Sequence, residues 1–265
     1  MSTENVRAVE YDVQDGIAVI TLNRPKEYNA INDVLASQLR ESFALASADD
    51  QVVAVILTGR GRAFCAGVDL KAAASGSKVL SANNMGTEDS LATCITACKK
   101  PVIGAINGFA VTGGLELAIA CDFLYAGESV RFADTHAIVG LVPGWGLSQK
   151  LPRLIGVNRA QEMSYTGMYI DAAKALEWGL INKVCKDDAL MDDAMKTAAM
   201  IKDAQPGALQ THKELINAGW LLGLEAGLEM ETAVSKKFNG EADMSVMDER
   251  LAVLRARAKA SRRPE

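Results

Sequence analysis

The sequence predicts an α/β fold in which buried parallel strands alternate with helices, followed by a helical C-terminal third. Three observations carry this. Apolar runs rich in β-branched residues, at 52–57 and 102–106, lack the two-residue alternation of a half-solvated strand, so both of their faces must be covered. Each run ends in a glycine-bearing loop, Thr58-Gly59-Arg60-Gly61 and Asn107-Gly108, with helical spacing further on. Beyond Gly144 only helical patterns separated by short breaks remain.

In chain order, the first elements are an antiparallel pair. Val9, Tyr11 and Val13 alternate with polar residues before Asp15-Gly16, and Ile17, Val19 and Thr21 alternate after it, which is the pattern of a β-hairpin with a tight turn. Asn32 is a good N-cap, and Leu35, Leu39 and Phe43 recur behind it on one helix face. After the strand at 52–57, Leu91, Cys94, Ile95 and Cys98 share a second helix face, which Lys99-Lys100-Pro101 ends. The strand at 102–106 leads through a loop to Gly113-Gly114, which opens a short helix through Ala120, and Phe123-Leu124-Tyr125 is the next strand. These units recur loosely, without exact repetition, and the last long helices are expected at 206–220, 224–238 and 246–259.

Composition narrows the function. With 28 Lys+Arg against 33 Asp+Glu the net charge is −5, so the molecule lacks the basic field that holds nucleic acid. The basic tail, Arg250, Arg255, Arg257, Lys259, Arg262 and Arg263, reads as a solvated helix end matched to the negative end of the helix dipole. Residues 1–5 are polar and resemble neither a secretory signal nor a transit peptide. The most apolar stretch, 104–127, is interrupted by Asn107, Thr112, Glu116 and Asp122, so no membrane contact and a cytoplasmic location are expected. The five cysteines, Cys65, Cys94, Cys98, Cys121 and Cys185, form no C-x-x-C pair, and His136 and His212 are the only histidines. No metal site is expected, and the thiols read as reduced core residues. Gly59-x-Gly61 lacks the third glycine of a dinucleotide fingerprint, and neither a Gly-Lys pair nor a G-x-S-x-G elbow occurs. Dinucleotide, phosphate-loop and serine-hydrolase chemistry therefore drop out.

What remains is a pair of loops, 63–70 and 107–116, each following a buried strand and each carrying glycines that let backbone approach a ligand. The second runs into a helix. The Gly113 N–H therefore lies among the unsatisfied donors at the positive end of a helix dipole and, paired with an N–H of the first loop, makes an oxyanion hole. Glu116 sits in the first turn of that helix. The dipole alone could explain a carboxylate there, but beside an anion hole a buried acid is a candidate acid–base catalyst. Trp145 and Phe109 read as pocket or core walls, and Cys65, which has no base near it in sequence, as a small core residue.

The segments A-F-C-A-G-V-D-L from Ala63, N-G-F-A-V-T-G-G-L-E-L-A from Asn107 and V-P-G-W-G-L-S-Q-K-L-P from Val142 resemble, in order and spacing, the crotonase (enoyl-CoA hydratase/isomerase) superfamily. T-L-N-R-P-K-E-Y-N-A-I-N from Thr21 is similar to that family's first CoA-contacting segment, and the likeness runs from about residue 8 to about residue 240. The resemblance implies a spiral of repeated ββα units over 1–200 with a helical trimerisation region over 201–265, and a homotrimer or dimer of trimers. It also implies a thioester carbonyl held by the N–H groups of Val68 and Gly113, with Glu116 acting beside it. Lys26 would lie near the CoA phosphates, while Ala66, Asp69 and Leu70 would line the adenine and pantetheine path. No separate cofactor is needed, since CoA belongs to the substrate.

One departure matters. Where hydratases of the family carry a second glutamate, alignment from Phe132 and Gly140 places His136, so a Glu/His pair replaces two carboxylates. Imidazole can exchange protons at neutral pH, with Asp134 able to orient the ring or, after a loop shift, to reach the site itself. The leading expectation is hydration of an enoyl-CoA by Glu116 and His136. The rivals are isomerisation, decarboxylation or thioester hydrolysis on the same scaffold, or a weakly catalytic protein that binds acyl-CoA or RNA.

Overall fold

The computed structural model describes residues 7–80, 90–243, 245 and 247–261, and all that follows concerns those. The chain forms two compact units, Met1–Lys202 and Asp203–Glu265.

The first unit opens with the antiparallel strands β1 (Val9–Gln14) and β2 (Ile17–Leu22). They are joined through Asp15 and Gly16, whose φ values of 51° and 76° are what a two-residue turn with both central residues left-handed requires. Helix α1 (Asp33–Ala48) follows, its N-cap Asn32 accepting the Leu35 N–H at 2.9 Å.

Next come β3 (Ala54–Gly59), β4 (Ala63–Cys65), α2 (Leu70–Ala74) and α3 (Leu91–Thr96). They are followed by β5 (Val102–Ile106), β6 (Phe109–Val111), α4 (Gly113–Ala120), β7 (Phe123–Gly127) and β8 (Arg131–Ala133). Beyond these lie α5 (Leu147–Ile155), α6 (Val157–Thr166), β9 (Ile170–Asp171), α7 (Ala172–Glu177), β10 (Lys183–Cys185) and α8 (Leu190–Ile201). One sheet has the order β1-β2-β3-β5-β7-β10 and the other β4-β6-β8-β9. Three times the chain lays one strand in the first sheet and the next in the second and then forms helix, advancing one place in both sheets with each turn. This is the spiral of ββα units.

The parallel strands are covered on both faces, as their unbroken apolar runs require. In β3, Val55 and Leu57 join the main core with Phe43, Phe64 and Phe132, while Ala54 and Ile56 face a second cluster built with Leu190, Ala194 and Ala198 of α8. In β5, Val102 and Ile106 face the first cluster, and Ile103 and Ala105 the second.

The differences from the sequence reading are local. The first buried strand begins at Ala54 because Val52 is still in a turn, its N–H donating to Asp49 O at 3.2 Å. Helix α3 ends at Thr96, and Cys98 lies in the turn that closes it. The region beyond Gly144, read as helices alone, also holds β9 and β10. Two or three residues cannot display a strand period, and β10 pairs only with β7 at a sheet edge.

The second unit contains α9 (Pro206–Gly219), α10 (Leu224–Gly240) and α11 (Met247–Ser261), with α9 packed on α10. In it Arg257 pairs with Asp203. Val246, Arg262 and Arg263 lie outside the described residues. Among the described residues no helix is long and apolar enough to cross a membrane.

Candidate active site

The first loop leaves β4 at Cys65. Gly67, at φ +94°, turns the chain so that its carbonyl accepts the Ile31 N–H at 2.8 Å, and the Asp69 N–H donates to Ile31 O at 2.9 Å. Val68 sits between these two bonds, bridged in parallel to Ile31. Alternating direction along an extended backbone then sends the Val68 N–H away from Ile31, toward the second loop.

That loop ends at Thr112, the N-cap of α4, with φ 56° and ψ −114°. A β-branched residue at positive φ carries strain on the order of 1–3 kcal/mol and persists only where its surroundings over-determine it. Here the Thr112 N–H donates to Ala133 O at 2.9 Å, its carbonyl accepts the Glu116 N–H at 3.0 Å, and its hydroxyl meets that of Thr135 at 2.6 Å. The strained turn starts a helix at once. Gly113 is its first residue, with an N–H that no intrahelical acceptor can take.

Two glycines let the loops meet. A Cβ on Gly67 would lie 3.4 Å from the Gly113 nitrogen, and a Cβ on Gly113 would lie 3.7 Å from the Val68 nitrogen. Val68 and Gly113 line a cavity of about 80 Å³, together with Glu116, His136 and apolar walls from Leu70, Leu80, Leu141 and Trp145. No Lys or Arg is among the described lining residues.

Glu116, one helical turn after Gly113, is 2% exposed. Its Oε1 accepts the N–H groups of Trp145 at 2.8 Å and Leu147 at 3.3 Å, which leaves Oε2 for the His136 side. Burial pushes its pKa above the ordinary carboxylate range, against the opposing pull of the Trp145 N–H, the His136 ring and the Leu147 N–H. His136 Nε2 stands 3.7 Å from Glu116 Oε2. On the other side of the ring, Nδ1 lies 2.7 Å from Asp134 Oδ1, which also accepts the His136 backbone N–H at 3.1 Å. Burial alone would raise the Asp134 pKa. Hydrogen bonds from the His136 ring, the Ser164 hydroxyl and the His136 N–H outweigh it and hold the group below the usual range.

The structure thus brings Val68, Gly113, Glu116, His136, Ala66 and Leu70 to one cavity. Lys26 and Asp69 do not line it. Lys26 is exposed on a short 3₁₀ helix, Pro25–Glu27, while Asp69 caps α2 through the Ala72 N–H at 3.1 Å and pairs with Arg24 at 3.0 Å. Trp145 is a cavity wall. Phe109 is neither pocket nor core: it is 37% exposed and packs edge-on against Tyr169. Cys65 is buried, its thiol pushed up to about 12 by loss of solvent, as suits a core residue. Sequence reasoning missed the Trp145 and Leu147 N–H groups that hold Glu116 and the Ser164 hydroxyl that holds Asp134. All three lie far along the chain from the groups they bind, and no local motif marks them.

A family model described as enoyl-CoA hydratase/isomerase matches residues 12–252. The chain belongs to the enoyl-CoA hydratase/isomerase family. It is an enzyme of that family, within the crotonase superfamily. An Arabidopsis thaliana protein named "Probable enoyl-CoA hydratase 1, peroxisomal" is 42% identical over 229 residues, covering 86% of this chain and 85% of that protein. The 2,3-dehydroadipyl-CoA hydratase of Escherichia coli K12 is 35% identical over 82% of this chain and 85% of its own. Among solved structures, the enoyl-CoA hydratase of Bacillus anthracis superposes with a TM-score of 0.81 at 34% identity, covering 97% of this chain and 98% of its own.

Proposed function

We propose that this family member is an enoyl-CoA hydratase-type lyase, adding water across the 2,3 double bond of an acyl-CoA thioester. The observation that carries the reading is the convergence on one cavity of two backbone N–H groups and two titratable side chains, with Glu116 Oε2 and His136 Nε2 3.7 Å apart. The thioester oxygen accepts hydrogen bonds from Val68 and Gly113. As water oxygen bonds to Cβ, electrons move through Cα to that oxygen, and the two N–H groups meet the developing charge. One such donor is worth about 2.7–4 kcal/mol in the transition state. The Glu116 carboxylate takes the proton from the attacking water, its basicity raised by burial. His136 delivers the Nε2 proton to Cα as the enolate collapses. The proton now on Glu116 then crosses to His136 Nε2 and resets the pair, so the elements of one water end on the product.

The rest of the substrate follows the same surface. Ala66, Asp69 and Leu70 line the adenine and pantetheine path, and Lys26, exposed on the 3₁₀ helix Pro25–Glu27, meets the CoA phosphates. The apolar walls of Leu70, Leu80, Leu141 and Trp145 suit an apolar acyl chain. The helical unit 203–265 carries exposed Leu221 and Leu224 and serves self-association into a homotrimer or a dimer of trimers.

The test is the loss of the conjugated enoyl-thioester absorbance of crotonyl-CoA with wild-type protein and with Glu116→Gln. Hydration that depends on Glu116 supports the reading. Binding of crotonyl-CoA with no loss of absorbance would overturn it in favour of isomerisation, decarboxylation, thioester hydrolysis or non-catalytic binding.

A further inference from the structure

The Asp134 carboxylate lies on the far side of the His136 ring from Glu116, so it cannot share a reacting atom with Glu116 without displacing the imidazole. It is not among the described residues that line the cavity. Yet it is 2% exposed, and a carboxylate so buried is costly unless its oxygens are bonded. Its partners are specific: the His136 ring at 2.7 Å, the His136 backbone N–H at 3.1 Å and the Ser164 hydroxyl from α6.

One oxygen, Oδ1, thus holds both the main chain and the ring of the same residue. That double contact limits rotation of the imidazole about its side-chain bonds and requires a proton on Nδ1 facing the carboxylate. We infer that Asp134 is a positioning residue which, steadied by Ser164, keeps a proton on His136 Nδ1 and so presents Nε2, the atom that gives and regains the reacting proton, to Glu116 and the cavity. Asp134 acts through the ring and touches no substrate. Among the described residues, the ring and its holder are faced by Glu116 from α4, Asp134 on its own segment, and Ser164 from α6 behind Asp134. The Thr112–Thr135 hydroxyl pair pins the intervening residue 135 to the turn that opens α4.

The inference rests on the hydratase reading for its kinetic consequences but not for its structural one, and two measurements separate them. The first uses full-length protein labelled with ¹⁵N-histidine. Only two rings contribute, and His136→Gln identifies which is which. Wild type is expected to show a strongly deshielded Nδ1–H on His136, and Asp134→Asn to lose it in favour of the Nε2–H form. A His136 ring already protonated at Nε2 alone in wild type, or a ring state unchanged in Asp134→Asn, would overturn the inference whether or not the protein hydrates any substrate.

The second is the pH profile of crotonyl-CoA hydration. Asp134→Asn is expected to lower kcat about 10- to 1,000-fold with KM within twofold. The pH profile should change in shape as well as height, because the ring has lost the carboxylate at Nδ1. Ser164→Ala should show the same change at smaller amplitude and serves if Asp134→Asn folds poorly. A profile scaled down with its shape unchanged in both variants would mean that Asp134 supports structure only, and refutes the inference.

Discussion

Adjacent glycines at the head of α4 carry opposite burdens, and alanine separates them. Gly113 has an ordinary helical backbone, so alanine there meets no φ penalty and adds up to ~1 kcal/mol of helix propensity. The new methyl would lie 3.1 Å from Trp145 Cζ3, which costs a shift of a few tenths of an ångström in one ring, and 3.7 Å from the Val68 nitrogen. These effects nearly cancel, so the Tm of Gly113→Ala should stay within about 4 °C of wild type, since 1 kcal/mol moves a domain of this size by about 2–4 °C. The same methyl stands between the two N–H groups proposed to hold the thioester oxygen, and loss of one such donor costs about 10²–10³ in rate. Gly114→Ala reverses the pattern. Its Cβ would lie 2.0 Å from the Cys65 carbonyl oxygen and 2.7 Å from the Cys65 carbonyl carbon, so backbone must move by more than an ångström. The cost is expected at or above the upper end of the usual 1–3 kcal/mol for overpacking, with a Tm lower by about 6 °C or more. Thermal melts beside crotonyl-CoA kinetics decide the matter. Full activity in Gly113→Ala would refute the oxyanion-hole argument, and a wild-type melt for Gly114→Ala would refute the close approach of β4 to α4.

Burial raises the Glu116 pKa from its ordinary value of 4.5, so the carboxyl contributes stability below that range and loses it as pH rises through the folded-state value. Wild-type Tm should therefore fall relative to Glu116→Gln on going from pH 4 to pH 8, while the variant loses about 10²–10⁴-fold in hydration; parallel Tm curves would contradict the assignment. An enoyl-CoA with a terminal carboxylate on its acyl chain should show kcat/KM at least tenfold below that of an uncharged chain of equal length, because the apolar walls of Leu70, Leu80, Leu141 and Trp145 would strip water from the charge. Equal values in a competition assay would mean that the chain end does not enter this apolar part of the cavity. Asn29 is fully buried at φ 56°, receiving the Arg24 N–H and donating to the carbonyls of Arg60 and Ala63. Asn29→Ala should cost about 2–4 kcal/mol by denaturant titration, and a loss below 1 kcal/mol would mean that solvent replaces all three bonds.

The parts of the fold legible in the sequence are those whose physics is local. Asp15-Gly16 announces a turn because few residue pairs accept two positive φ values in succession, and Asn32 announces a helix because its side chain finds the Leu35 N–H three residues on. Buried strands announce themselves as well, since a run such as Val55-Ile56-Leu57 has no face to give to water. What failed to show was short or distant. Strand β10 is three residues long, and its place in the sheet is fixed by pairing with β7 across 58 residues of chain, as in the bond between Leu124 and Asn182.

The site divides the same way. Gly113-Gly114-Leu115-Glu116 carries its own logic in four residues, a helix start with an acid one turn in. The state of that acid, however, is set by N–H groups 29 and 31 residues further along, and the role of the histidine by a carboxylate and a hydroxyl on separate elements. Asp134 shows the limit most clearly. By spacing alone it competes with His136 for the place of the second acid, and only the geometry puts it behind the ring. A histidine at 136 leaves one anion fewer beside Glu116 than a carboxylate there would. A ring in that position needs a partner at Nδ1 if Nε2 is to face the reaction, and Asp134, two residues upstream and buried with it, supplies one. His136 and Asp134 are therefore best understood as one device, and a variant with glutamate at 136 should make Asp134 a liability: in His136→Glu, Asp134→Asn should raise kcat rather than lower it. If Asp134→Asn lowers kcat in both backgrounds, the two positions act independently and the coupling argued here is wrong.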